Sequence, residues 1–262
     1  MKNLRLTVAY DGTRFAGWQI QPNLPTIQGE IQQAFRRLTG ESVTAHSAGR
    51  TDAGVHALGQ VASIRTETRL SDERVLMGMQ HFLPEEITVR RVETAPWDFH
   101  PAFSSKRKTY RYVMLSSPIR SPFLRRFAWR VRPGMDDAAM REAAASLVGR
   151  HDFRCFETQG SPRADTVRTL FRVEVRRCPV WSIFETGTLP GDDANGACVV
   201  IEVTGNGFLY NMVRAIAGTL YEVGIGKRTV GSVGDLLANG ERSEAGQTAP
   251  ARGLFLVDVE YG

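Results

Sequence analysis

Arg50 and Asp52 stand two residues apart in Ala48-Gly49-Arg50-Thr51-Asp52-Ala53-Gly54-Val55-His56-Ala57, bracketed by glycines. A carboxylate can serve as nucleophile, base or counter-ion, and a neighbouring guanidinium can lower its pKa or grip a phosphate or carboxylate. Glycine accepts positive φ where a Cβ resists it, so the chain can turn tightly at both ends. The plain alternative is an Asx turn with Arg50 bridging to another loop.

Alternating runs flank this loop, Ser42 to Ser47 before it and Gln60 to Thr66 after it. They predict strand–loop–strand, or strand–loop with a short helical turn. Upstream, Leu4, Leu6, Val8 and Tyr10 alternate as a half-buried strand, and Asp11-Gly12 starts a turn. Thr26 caps a helix with Ile27, Ile31, Ala34, Phe35 and Leu38 on one face, and Gly40 stops it. Ser71 opens a second helix that Pro84 ends, and Ile87 to Val92 returns as a strand. This first half is strand–helix–strand–strand–helix–strand.

The second half repeats the theme. Thr109 to Leu115, Thr166 to Cys178 and Val199 to Val203 read as strands, with an exposed hairpin tip at 189–196. Asp136 caps a helix, Phe208 to Val223 has helical spacing with Gly224 as its stop, and a short helix lies near Val233 to Leu237. Leu254 to Tyr261 closes the half as a strand. The expected fold class is α+β, two similar halves of mostly antiparallel sheet with helices on one face. The halves are placed at 1–105, carrying the Asp loop, and 106–262.

The net charge of +5 favours an acidic partner, nucleic acid first. From Pro101 to Arg132 there are nine basic residues and no acidic one, interleaved with Phe103, Tyr110, Tyr112, Phe123, Phe127 and Trp129. Cations can meet phosphates and aromatic faces can stack unpaired bases, so this segment is the first nucleic-acid candidate. Three dispersed cysteines give neither a disulfide framework nor a Cys-rich zinc site, and the five histidines have no ligand spacing. The expectation is a cytoplasmic protein with no metal, no leader and no membrane span. Gly205-Asn206-Gly207 imitates the start of a dinucleotide fingerprint, but Tyr210 holds the third glycine position.

Seven blocks occur in register along the whole chain. They are Tyr10-Asp-Gly-Thr13, Gly17-Trp-Gln19, Gln28-Gly29, Gly49 to His56, Lys108-Thr-Tyr-Arg-Tyr112, Gly207 to Arg214 and Thr248 to Gly253. Together they resemble the tRNA pseudouridine synthases of the TruA type. The resemblance implies an isomerase that converts uridine to pseudouridine at positions 38 to 40 of the tRNA anticodon stem-loop. It further implies no cofactor, a catalytic cleft between the halves and a homodimer.

Carried over by motif, Asp52 is the catalytic aspartate, and Tyr110 stacks on or hydrogen-bonds the target base. Arg50 pairs with Asp52 and replaces the base in the stack or holds a phosphate, and Arg214 reaches the active site from the helix face opposite the apolar stripe. The chain departs from the family pattern at Ala102, where Arg is usual, at Gln80, where Asn is common, and in a longer 189–196 tip. Two other readings accompany this one: an RNA-binding protein without activity, and a pseudouridine synthase acting at another RNA site.

Overall fold

In the computed structural model, which describes residues 1–158, 165–184 and 197–262, the alternating N-terminal run forms β1 (Lys2–Tyr10). Thr26 Oγ1 accepts the Gly29 N–H at 3.3 Å and opens α1 (Ile27–Thr39), which Gly40 closes at φ 81°. Next come β2 (Ala45–Ser47), β3 (His56–Thr66), α2 (Asp72–Phe82) and β4 (Ile87–Ala95). β1 pairs antiparallel with β3 on one edge and β4 on the other, and β2 pairs with the far part of β3. One sheet face carries Leu4, Leu6, Val8, Ala62 and Ile64, all fully buried, matching Ile27, Ile31, Phe35, Val75 and Met79 of the two helices. The opposite face carries Asn3, Arg5, Ser63 and Arg65.

The second series is β5 (Ser105–Ser116), β6 (Trp129–Val131), α3 (Asp137–Ala145), β7 (Gly149–Asp152), β8 (Val167–Cys178), β9 (Cys198–Gly205), α4 (Met212–Gly224) and α5 (Ser232–Asn239). Its strands lie in the order β5-β9-β8-β7, with β6 parallel to the end of β5. With the short strands β6 and β7 set aside, the chain runs strand, helix, strand, strand, helix as β1 to α2 does, and β9 lies between β5 and β8 as β3 lies between β1 and β2. The α+β class and the similarity of the halves thus appear in the connectivity itself. The hairpin tip expected at 189–196 lies outside the described residues. No helix among the described residues is long and apolar enough to cross a membrane.

The last strand, β10 (Leu254–Tyr261), departs from expectation. The chain divides into Met1–Lys106 with Phe255–Gly262, and Arg107–Leu254. β10 runs parallel to β3 with Phe255 opposite His56, and their rings stack at 4.8 Å. The closing strand therefore belongs mostly with the first unit. Local periodicity identifies a strand but carries no information about a partner at the other end of the chain.

The helix expected from Phe208 begins later, because Asn211 adopts φ 60° and only Met212 onward is helical. Gly224 lies inside the helix, where a Cβ would meet Met140 Sδ at 2.7 Å, so it serves close helix packing; the left-handed glycine is Gly226.

Candidate active site

Eight residues, 48–55, separate β2 from β3 and carry Arg50 and Asp52. Gly54 at φ 76° permits the turn, and the Val55 N–H donates to the Asp52 backbone carbonyl at 3.1 Å. The loop is clamped from one side by residues 10–18. Trp18 N–H donates to the Thr51 carbonyl at 2.9 Å, and Gly54 N–H donates to the Phe15 carbonyl at 3.4 Å. A Cβ on Gly12 would stand 1.9 Å from the Val55 carbonyl oxygen, and one on Gly17 2.6 Å from that of Thr51. The two glycines are there because backbone meets backbone.

Side chains complete the clamp. The Tyr10 hydroxyl pairs with Thr51 Oγ1 at 2.7 Å, and Gln60 Nε2 donates to the Gly49 carbonyl at 2.8 Å. Burial pushes the Tyr10 phenol up to about 12 despite its hydrogen bonds to Thr51 and Gln60, so it keeps its proton. The Gly12 N–H donates to His56 Nδ1 at 3.0 Å, which ties the start of the segment to the start of β3. Burial pushes the Asp11 carboxyl up, but contacts with His56 and hydrogen bonds from the Thr13 hydroxyl and amide outweigh it. They hold Asp11 well below the usual carboxylate range. Asp52 emerges half-buried from this scaffold. Arg50, two residues before it in the same loop, is exposed.

The other two residues singled out by motif lie in the second unit. Tyr110 on β5 is buried, and Phe208 meets its ring edge-on at 4.9 Å. Its neighbour Arg111 points to the other face, where Nε and Nη2 both donate to Glu202 at 2.9 and 2.8 Å and Nη1 donates to the Ile183 carbonyl at 2.7 Å. Arg111 and Tyr112 are core residues, which removes them from the proposed basic–aromatic RNA surface. Lys106, Arg107, Arg120, Arg125, Arg126, Arg130 and Arg132 of that segment remain exposed.

Arg214 sits in the first turn of α4, half-buried. Its Nε donates to the Ala249 carbonyl at 2.7 Å and Nη1 to Asn211 Oδ1 at 2.7 Å, while Ala249 N–H returns a bond to the Arg214 carbonyl at 3.1 Å. The helix has no solvent-facing stripe of the kind expected; most of its residues are buried on every side. Segment 246–250 holds one side of it closely enough that a Cβ on Gly218 would stand 1.7 Å from the Gln247 carbonyl oxygen. Burial raises the Tyr112 phenol, against the pull of Arg214 and Arg252, and its hydroxyl donates to the Pro250 carbonyl at 2.8 Å.

Several residues that build the site were not singled out from sequence: Thr51, Gln60 and His56 around the Asp52 loop, and Asn211 and Ala249 around Arg214. The signal for Thr51, His56, Asn211 and Ala249 was present only as membership of the same short blocks, and Gln60 lies outside them. Gln80 donates to the Val89 carbonyl and ties α2 to β4, whereas the Ala102 N–H donates to His100 Nδ1 at 3.2 Å within one loop.

Comparison with known proteins follows this geometry. The profile described as tRNA pseudouridine synthase matches residues 6–104 and 143–262. The chain is 41% identical over 261 residues to tRNA pseudouridine synthase A of Ruminiclostridium cellulolyticum, with all of both chains covered. It is 42% identical over 261 residues to the protein of that name from Geotalea uraniireducens, again with all of both chains covered. Against the Moorella thermoacetica protein of that name it is 43% identical over 264 residues, also with full coverage of both. Profile and relatives span both units and every block that builds the Asp52 and Arg214 clamps, and the chain belongs to the tRNA pseudouridine synthase family.

Proposed function

We propose that this chain isomerises uridine to pseudouridine at positions 38 to 40 of the tRNA anticodon stem-loop, with Asp52 as the catalytic carboxylate. The observation that carries the reading is the rigid presentation of one half-buried aspartate by a loop locked to residues 10–18, in a chain that matches its family from end to end. A group that must meet one atom of the bound nucleotide gains from being held by backbone contacts, since small misplacements are costly in rate.

The reaction breaks the C1′–N1 bond, turns the uracil and joins C5 to C1′, so every atom of product comes from substrate. One carboxylate can attack C1′ or C6, or remove a ribose proton. Taking the uridine out of its stack costs a few kcal/mol. Arg50, exposed on the same loop, fills the vacated space or holds a phosphate. Tyr110 offers a ring or hydroxyl to the loose base. Arg214, fixed by Ala249 and Asn211, presents its remaining N–H groups to the same reaction. We further infer a cytoplasmic homodimer, a state that sedimentation of the purified protein tests directly.

The test is tritium release from unmodified tRNA carrying 5-tritiated uridine, since forming the C5–C1′ bond displaces the C5 hydrogen. Wild type releases tritium, and Asp52→Asn does not while keeping tRNA affinity within about threefold, because only the reacting group is lost. Comparable release by Asp52→Asn overturns the assignment of Asp52. Binding without release by the wild type returns the protein to the non-catalytic RNA-binding reading, and release that survives replacement of uridines 38 to 40 moves its site elsewhere.

A further inference from the structure

Residues 96–104 cross the polar face of the first unit's sheet, opposite its helices, and are pinned there. Asn3 Nδ2 donates to the carbonyls of Pro96 and Phe99 at 3.0 Å each, Tyr261 Oη donates to the Pro101 carbonyl at 2.9 Å, and the Ser104 N–H donates to the His100 carbonyl at 2.9 Å. A segment so held still leaves Phe103 87% exposed, the most exposed large apolar side chain among the described residues. Its ring does not stand alone. The His100 ring lies 4.4 Å from it, and the His46 ring, exposed on β2, lies 5.4 Å beyond. Beside this row the half-exposed Trp97 carries the Arg65 guanidinium 4.6 Å over its ring, and Arg65 also donates to the Trp97 carbonyl at 3.2 Å.

Exposing a large ring to water is unfavourable, so a fold that fixes one outward, in contact with a second ring that meets a third, and near a cation, has built a face for a ligand. The chemistry specifies that ligand. Exposed ring faces accept the π-faces of unpaired bases, Arg65 complements a phosphate chain, and the combination is the one used for single-stranded nucleic acid. A duplex stem offers neither exposed base faces nor a reason for the rings.

We propose that Phe103, His100 and His46, flanked by Arg65 and Trp97, form a stacking platform for unpaired nucleotides of the tRNA substrate. The platform rests on the tRNA-modifying reading above and adds the kind of RNA element that this surface holds.

Phe103→Ala and Phe103→Leu test it, with affinities measured by filter binding for unmodified tRNA, a single-stranded oligonucleotide and an RNA duplex. A stacked base accounts for about a tenfold loss on truncation. Both variants bind the single strand and the tRNA about tenfold more weakly and raise KM for tRNA accordingly, while duplex binding is unchanged; Leu fails with Ala because it has bulk but no π-face. Unchanged single-strand affinity overturns the proposal, as does an equal loss on duplex. A wild-type dimer that dissociates on Phe103→Ala with RNA affinity intact also overturns it, because the occupant is then a second copy of this chain. Each of these outcomes is read with a wild type that releases tritium, so it is distinct from failure of the enzymatic assignment.

Discussion

With the short strands β6 and β7 set aside, the two units draw the same connection, strand, helix, strand, strand, helix, with the third strand in the middle, yet they hold the residues singled out by motif by different means. In the first unit, Asp52 lies in the connection between the second and third strands and is fixed by backbone packed on backbone at Gly12 and Gly17. In the second, the equivalent connection, from β8 to β9, carries a short 3-10 turn at Val180–Phe184, while Tyr110 and Arg214 stand on regular elements. Arg214 is fixed by side-chain hydrogen bonds and Tyr110 by ring contact. A repeated frame thus determines where residues can stand, and local packing determines how firmly each is held.

The sharpest way to separate the units is through the buried ion pair of the second. Arg111→Ala leaves Glu202 buried, with Arg172 at 3.6 Å the one remaining ion-pair partner among the described residues, and costs about 3–5 kcal/mol in a urea titration. Replacing both partners, Arg111→Met with Glu202→Leu, recovers most of that loss, since an unpaired buried charge is the main penalty. If the double variant is no better than the single one, the pair specifies the packing of β5 on β9 rather than merely neutralising itself.

Matched glycine substitutions give a smaller effect and a direct comparison. Gly12→Ala and Gly218→Ala each place a Cβ within 2 Å of a backbone oxygen and cost about 1–3 kcal/mol by overpacking. Tritium release drops further for Gly12→Ala than its stability loss explains, because the displaced backbone is that of the Asp52 loop. Wild-type turnover in Gly12→Ala would show that the loop tolerates displacement and that backbone clamping is not what presents Asp52.

The smallest effect lies in pH. In the second unit, hydrogen bonds from Arg154, and from the Thr166 hydroxyl, hold the Asp152 carboxyl at about 2, below its ordinary 3.8. A carboxylate with a depressed folded pKa stabilises above its unfolded pKa, and the contribution disappears as pH falls through the folded value. Wild type is therefore slightly more stable than Asp152→Asn at pH 5 to 7, and the gap closes between about 3.8 and about 2. Arg154 is 71% exposed, so the gap is small and shrinks with salt. A gap that widens on acidification would contradict the assigned direction.

Much of this protein was legible in the chain because the governing physics is local. Alternation gave β1, β5 and β8, and capping chemistry placed α1 at Thr26, α2 at Ser71 and α3 at Asp136. The seven short blocks gave the family, and they included the loop with Asp52. Sequence alone could not place β10 against β3, since parallel pairing between chain ends leaves no local trace. Nor could it foresee that Arg111, in the middle of a basic segment, would be a core residue; burial of a charge depends on whether a partner such as Glu202 arrives across the sheet. The order of elements and the membership of the family were written in residue types and spacing. Which of those groups face water, which face one another and which serve only the core was decided by tertiary packing, because burial and electrostatic pairing depend on neighbours distant in sequence.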